Sequence, residues 1–305
     1  MSVKIETITE PQILGEGPHW DDKQQALYFV NIVEQSLHKY SLNTGVHTKT
    51  KVDSHVSFIV PVEGKINQFL VGMDRKFRVV RWDGTEGSPV TVVREVGEVD
   101  QDVPTTKLND GKADPRGRVY AGTMAIDWDG NPGNTHMGKG SLFRLDGSKI
   151  TKVADKISLA NGLAWDVKEK AMYYIDSVEK NVRRYDYDIE TGDISNLTYV
   201  FDMDKHDIKG TPDGMTIDAD GNLWVACFGD SSVVHIDPRT GKLLQRLVMP
   251  ALQVTSAIFG GPDHDILFVT TASLNVRGPQ PPPGGATFMV TGLGVKGLRN
   301  INYKP

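Results

Sequence analysis

The chain has 305 residues, of which 39% are hydrophobic, 24% charged and 8% aromatic, the composition of a globular protein rather than a disordered or fibrous one. Its net charge is −5 with the two signs interspersed, so there is no basic footprint for nucleic acid or an anionic membrane. The single Cys227 excludes an intrachain disulfide. The N-terminal stretch from Met1 lacks a signal-peptide core, and no segment reaches the ~18 apolar residues of a membrane span. A monomeric protein in the cytosol that acts on a small molecule is expected.

Taken in order, the chain repeats itself. Each unit begins with a polar lead residue and then has Asp five positions on in the clearest copies. A tight turn and an aromatic or β-branched run follow. Glu16 leads to Asp21 and Leu27-Tyr-Phe-Val30; Asn109 leads to Asp114 and Tyr120. Asn161 leads to Asp166 and Met172-Tyr-Tyr-Ile175; Asp213 leads to Asp218 and Leu223-Trp-Val-Ala226. Ser57 and Thr255 head two weaker copies. The six lead positions are 41, 52, 52, 52 and 42 residues apart. Asp-Gly between apolar runs, as in Ala219-Asp-Gly-Asn222, is a hairpin signal, so each unit opens with two antiparallel strands. Further alternating runs, such as Asn181-Val-Arg-Arg-Tyr and Ser232-Val-Val-His-Ile, supply two more strands per unit.

Four short strands at a period of 40 to 50 residues is the pattern of a β-propeller blade. The expected fold is therefore all-β, a six-bladed β-propeller with four-stranded blades, forming one domain over residues 1–305. A strand near Lys4–Ile8 is expected to close the ring by pairing with Thr287-Phe-Met-Val290. Trp128–Gly140 and the Pro/Gly-rich Arg277–Gly285 read as loops. A TIM barrel is excluded because no helical segments alternate with the strands.

In such a ring the innermost strands line the axis, so Glu16, Ser57, Asn109, Asn161, Asp213 and Thr255 face a common channel. Two carboxylates and two amides together suit a hard divalent cation. The same residues also read as ordinary turn formers, and the sequence alone leaves both readings open. The Asp residues five positions on are expected to be structural, since they adjoin the hairpin turns. Gly292-Leu-Gly-Val-Lys-Gly297 fits a dinucleotide pattern, but too little chain follows it for a βαβ unit.

Several stretches carry a more specific signal. Leu14-Gly-Glu-Gly-Pro-His-Trp20, Leu108-Asn-Asp-Gly-Lys-Ala-Asp-Pro115, Ala121-Gly-Thr-Met-Ala125, Ala160-Asn-Gly-Leu-Ala-Trp165, Tyr173-Tyr-Ile-Asp-Ser177, Pro212-Asp-Gly-Met215 and Thr291-Gly-Leu-Gly-Val-Lys-Gly297 resemble the regucalcin, gluconolactonase and luciferin-regenerating enzyme family, also called senescence marker protein. The resemblance implies a six-bladed propeller with one divalent metal ion (Ca, Zn, Mn or Mg) in its channel and hydrolysis of small lactones. It places the metal ligands on Glu16, Asn161 and Asp213. A carboxylate at the metal can accept a proton from a bound water, which makes Asp213 the candidate general base. The resemblance places substrate contacts on Asn109, Lys107 and Asp127. Lys107 stands where vertebrate members have Arg, and Ile126-Asp127 where they have Glu. The Met-Ala-Ile-Asp run is closer to the insect luciferin-regenerating branch. The implied alternatives are an enzyme of that branch acting on an aromatic heterocycle, or a calcium-binding regulatory protein without turnover.

Overall fold

A computed structural model describes residues 2–125, 135–276 and 278–305. The chain opens with β1 (Lys4–Thr7). Four four-stranded antiparallel sheets follow. The first is β2 (Gly15–Asp21), β3 (Ala26–Asn31), β4 (Ser36–Ser41) and β5 (His47–Lys51). The second is β6 (Val56–Pro61), β7 (Gln68–Met73), β8 (Lys76–Arg81) and β9 (Thr91–Glu98). The third is β10 (Thr106–Ala113), β11 (Val119–Ala125), β12 (Gly140–Asp146) and β13 (Lys149–Ile157). The fourth is β14 (Ala160–Asp166), β15 (Ala171–Asp176), β16 (Asn181–Tyr187) and β17 (Ile194–Asp202).

The remaining strands are β18 (Thr211–Ile217), β19 (Leu223–Phe228), β20 (Ser232–Asp237), β21 (Lys242–Val248), β22 (Gln253–Gly260), β23 (Ile266–Ala272) and β24 (Phe288–Thr291). With β1 they form one eight-stranded sheet. Six separate sheets were expected, and hydrogen bonding gives five, four of them four-stranded and one eight-stranded. The reason is local: Phe228 at the end of β19 pairs with Gln253 at the start of β22, and this one pair joins two four-strand groups. As expected, β1 closes the structure by pairing antiparallel with β24, Lys4 opposite Thr291 and Thr7 opposite Phe288. Among the described residues no helix is long and apolar enough to cross a membrane.

Burial explains why each unit has this strand order. The first strand of each unit is almost wholly buried, and the second carries the aromatic and β-branched run, as in Ala-Leu-Tyr-Phe-Val-Asn of β3. The fourth strand is mostly exposed, as in β9 and β21. The first strands β2, β6, β10, β14, β18 and β22 contact one another in sequence, and β22 returns to β2. Apolar clusters fill the gaps between successive units. Trp20, Leu27 and Phe29 pack on Ile258 and Phe268 where the last group meets the first. Tyr173 and Ile175 pack on Met215 and Val225 between the fourth sheet and β18–β19. This is a propeller-like, all-β architecture, in which each sheet hides its faces against its neighbours.

The four Asp residues five positions after a lead residue cap hairpin turns. Asp21 Oδ1 accepts from the backbone N–H of Lys23 and Gln24, at 2.8 and 3.1 Å. Asp166 does the same for Lys168 and Glu169, at 2.8 and 3.1 Å. Asp114 receives the N–H of Arg116 and Arg118, and Asp218 those of Asp220 and Asn222. This is the local side-chain-to-backbone bonding that favours Asp in turns.

The C-terminal segment crosses one end of the axis. Gly297 bridges to Asp218, and Tyr303, fully buried, bridges to Val62. Asn302 Oδ1 lies 3.2 Å from His19 Nε2, and Asn300 donates to the carbonyl of Phe259. The other end of the axis holds the lead residues.

Candidate active site

Every first strand breaks its ladder at its lead residue. The register shifts between Glu16 and His19, Val56 and Phe58, Leu108 and Gly111, Asn161 and Leu163, Pro212 and Met215, and Val254 and Ser256. A β-bulge frees a residue from pairing and re-aims its side chain. Here it turns the lead residue out of the sheet alternation. Glycine makes the bulge possible where backbones crowd. Gly17 has φ +54°, which disfavours other residues, and a Cβ on Gly214 would lie 2.0 Å from Ser256 Oγ.

Glu16, Asn109, Asn161 and Asp213 line one cavity of about 260 Å³. Ser57 and Thr255, which share their repeat position, do not. Their hydroxyls are spent on the fold: Ser57 donates to the Gly72 carbonyl, and Thr255 donates to the Gly15 carbonyl at 2.6 Å. The cavity wall obeys the repeat as well. Leu14, Leu159 and Thr211 stand two residues before a lead residue. Ile32, Met124, Ser177, Phe228 and Leu274 stand at the ends of the second strands.

A chain of hydrogen bonds fixes the two amides. Asn109 Nδ2 donates to the Ala160 carbonyl at 2.7 Å and to Asn161 Oδ1 at 3.1 Å. Asn161 Nδ2 donates to Ser177 Oγ at 2.8 Å, and Ser177 donates to the Pro212 carbonyl at 2.6 Å. An amide oxygen has two lone pairs, so Asn161 Oδ1 retains one for a ligand. Both Asn109 amide hydrogens are directed at protein acceptors, which leaves its carbonyl oxygen to meet whatever enters the cavity.

The carboxylates are in electrostatic difficulty. Burial, reinforced by the charge of Asp110, pushes the Glu16 carboxyl up to about 8, against a 2.9 Å hydrogen bond from Gly17 N–H and the charge of Lys112. Asp213 is raised well above the ordinary carboxylate range by burial, then by Glu16 and Asp110. Two desolvated acids close together are stable as anions only beside a compensating cation. The two carboxylates and the oriented amide oxygen of Asn161 therefore fit a hard divalent ion. Among the described residues no three His, Cys, Asp or Glu side chains form a metal-holding group, so the amide is needed to complete the set.

Two residues of this cluster escape a reading by repeat. Asp110 follows Asn109 inside the widened bulge of β10, where β2, β14 and β18 place Gly, and its carboxyl is raised by burial. Lys112 sends its ammonium from β10 to the Met215 carbonyl on β18. Burial lowers that ammonium to about 8, opposed by the charges of Asp110 and Glu16. A second acid in an Asn-Asp-Gly run was the available signal for Asp110. Nothing local marks Lys112.

Of the remaining expected contacts, Lys107 does not line this cavity. It shares the repeat position of Leu14 and Leu159 but lies along a neighbouring groove with His55, Asp74 and Arg75. Burial lowers its ammonium to about 7, opposed by Asp74. Asp127, with Ile126 and Trp128, lies outside the described residues.

Residues 14–273 match the SMP-30/Gluconolactonase/LRE-like region. Regucalcin of Danio rerio is 37% identical over 307 residues, covering 99% of each chain. The solved structure of a luciferin-regenerating enzyme superposes with a TM-score of 0.93 at 40% identity, covering 100% of both chains. A regucalcin of Agrobacterium tumefaciens, described as a calcium-binding protein, superposes with a TM-score of 0.84 at 27% identity, covering 98% of this chain and 97% of that one.

Proposed function

The chain belongs to the SMP-30/gluconolactonase/luciferin-regenerating enzyme family, and from that premise we propose that it is a metal-dependent hydrolase of small lactones. In this reading the eight-stranded sheet counts as two blades, giving six around one channel. Glu16, Asn161 and Asp213 hold a single divalent ion, whether Ca, Zn, Mn or Mg. The observation that carries the reading is the pairing of two buried, mutually repelling carboxylates with an oriented amide oxygen in one cavity.

When bound, the ion supplies Lewis acidity at the lactone carbonyl. Asp213 would accept the proton of the attacking water, since its carboxylate lines the cavity beside the position of the ion. The Asn109 carbonyl oxygen accepts a hydrogen bond from that water or from a substrate hydroxyl. Asn109 in turn holds Asn161, and Ser177 fixes the far side of the same amide. Lys107 borders the site from the adjoining groove, and Asp127 is retained as a contact by resemblance alone. The protein works as a cytosolic monomer on a small molecule, without nucleic acid or membrane.

Similarity to the luciferin-regenerating enzyme supports a second reading, an enzyme acting on an aromatic heterocycle at the same site. The Agrobacterium relative supports a third, ion binding without turnover. Turnover of any lactone rules out the third. Asp213→Ala separates a working site from an incidental one: ion binding measured by calorimetry and lactone turnover are both expected to vanish. Retained turnover in that variant would refute the assignment.

A further inference from the structure

The walls of the cavity differ sharply from its floor. Glu16, Asn109, Asn161, Ser177 and Asp213 form its polar cluster, here called the floor. Among the described residues the rest of the lining is mainly apolar, Leu14, Ile32, Met124, Leu159, Phe228 and Leu274, with Thr135 and Thr211 the polar exceptions. Resting on the hydrolytic reading of that floor, we propose that the preferred substrate is a lactone with an apolar body, a ring fused to an aromatic system or carrying an alkyl chain. A polyhydroxylated sugar lactone is the poorer fit.

The supply of polar partners decides the preference. A sugar lactone brings several hydroxyls, each of which must exchange water for a protein partner or remain unsatisfied. The floor has little left to offer them. The Asn109 N–H groups are engaged with Ala160 and Asn161. Ser177 accepts from Asn161 and donates to Pro212. Glu16, Asp213 and Asn161 Oδ1 are committed to the ion. Among the described residues, the Asn109 carbonyl oxygen and the hydroxyls of Thr135 and Thr211 remain at the cavity. Lys107, the cation best suited to bind hydroxyls, faces the adjoining groove instead.

An apolar body reverses each of these terms. Its surface leaves water against Leu, Ile and Phe side chains, and the gain scales with the area buried. Phe228 offers a ring face or edge to an aromatic system, and Met124 adapts to its outline. The ester group alone then needs polar partners, and the floor supplies them.

The test compares the fused aromatic lactone dihydrocoumarin and the alkyl lactone δ-decalactone with D-glucono-δ-lactone, at one fixed divalent ion concentration. The apolar pair is expected to exceed the sugar lactone in kcat/KM by at least a hundredfold, mostly through KM. Phe228→Asn, which adds polar partners to the wall, is expected to narrow that ratio about tenfold. A sugar lactone turned over as well as either apolar one would overturn the proposal. Hydrolysis-resistant lactams separate this proposal from the hydrolytic reading. Even if no lactone were turned over, the lactam of dihydrocoumarin should bind at least tenfold more tightly than D-glucono-δ-lactam, by calorimetry. Equal or reversed affinities would overturn the apolar assignment by themselves.

Discussion

Asp213 in β18 and Asp218 just beyond it stand five residues apart, and the fold gives their carboxyls opposite electrostatics. Burial and the charges of Glu16 and Asp110 raise Asp213 well above the carboxylate range. Burial would raise Asp218 too, but donors from His235, Asn222 and Trp224 outweigh it and hold that carboxyl low. Asp213 lines the cavity and Asp218 caps the turn. Asp218→Ala should destabilise the protein by on the order of 3 kcal/mol, since it removes the turn cap and strands two buried ring donors. Divalent ion affinity of the folded variant should stay within about twofold of the native value, whereas Asp213→Ala should abolish it with little loss of stability. Urea unfolding and calorimetry on the two variants check both halves.

Acid stability should depend on His19. Burial holds its imidazolium down at about 4, against the ordinary value near 6.5, although the Asn302 hydrogen bond pulls the other way. The unfolded chain therefore binds a proton that the folded chain refuses between those two values. Stability from this residue is complete above pH 6.5 and is lost as the pH falls toward 4. The buried His38 and the neighbouring His47 are lowered for the same reason and act in the same direction. His19→Gln keeps a polar group facing Asn302 but cannot titrate. The stability difference between pH 7.5 and pH 5 should be smaller in this variant than in the native protein, and an unchanged difference would remove His19 from the account.

The charge balance of the channel makes a further prediction. Lys112 brings one buried cation to Glu16 and Asp110, two buried carboxyls that in turn raise a third, Asp213. Lys112→Met should lower the melting temperature of the ion-free protein by several degrees. Added divalent ion should then raise that temperature more in the variant than in the native protein, because the ion replaces the lost charge. Asp110→Asn should do the reverse, stabilising the ion-free protein and weakening ion binding by about tenfold or more. Parallel shifts with and without ion in both variants would mean that neither side chain senses the site.

What is legible in the sequence, and what is not, follows from the distance over which each feature is set. The repeated lead residue, the turn-capping Asp and the aromatic run are local, so the order of residues along the chain suffices to sort Glu16, Asn161 and Asp213 from Asp218. The sorting stops where neighbouring units meet. Ser57 and Thr255 occupy the same repeat position as Glu16, yet their short hydroxyls reach carbonyls of the fold and turn away from the cavity. Lys112 reads as an ordinary strand residue and becomes part of the channel only because β10 faces β18 across the axis. Ser177 lies just beyond the second strand of its unit; the β14–β15 pairing sets it beside Asn161, and only the approach of the next unit gives it the Pro212 carbonyl. The one pair that merges two sheets, Phe228 with Gln253, depends on how closely β19 approaches β22, which no periodicity encodes.

The most direct measurement is lactone turnover in buffer stripped of divalent ions by a chelator, followed by restoration with Ca, Zn, Mn or Mg in turn. The account predicts that turnover disappears in the chelated buffer and returns with at least one ion at about one equivalent per chain. Turnover that persists at full rate without any ion would contradict it.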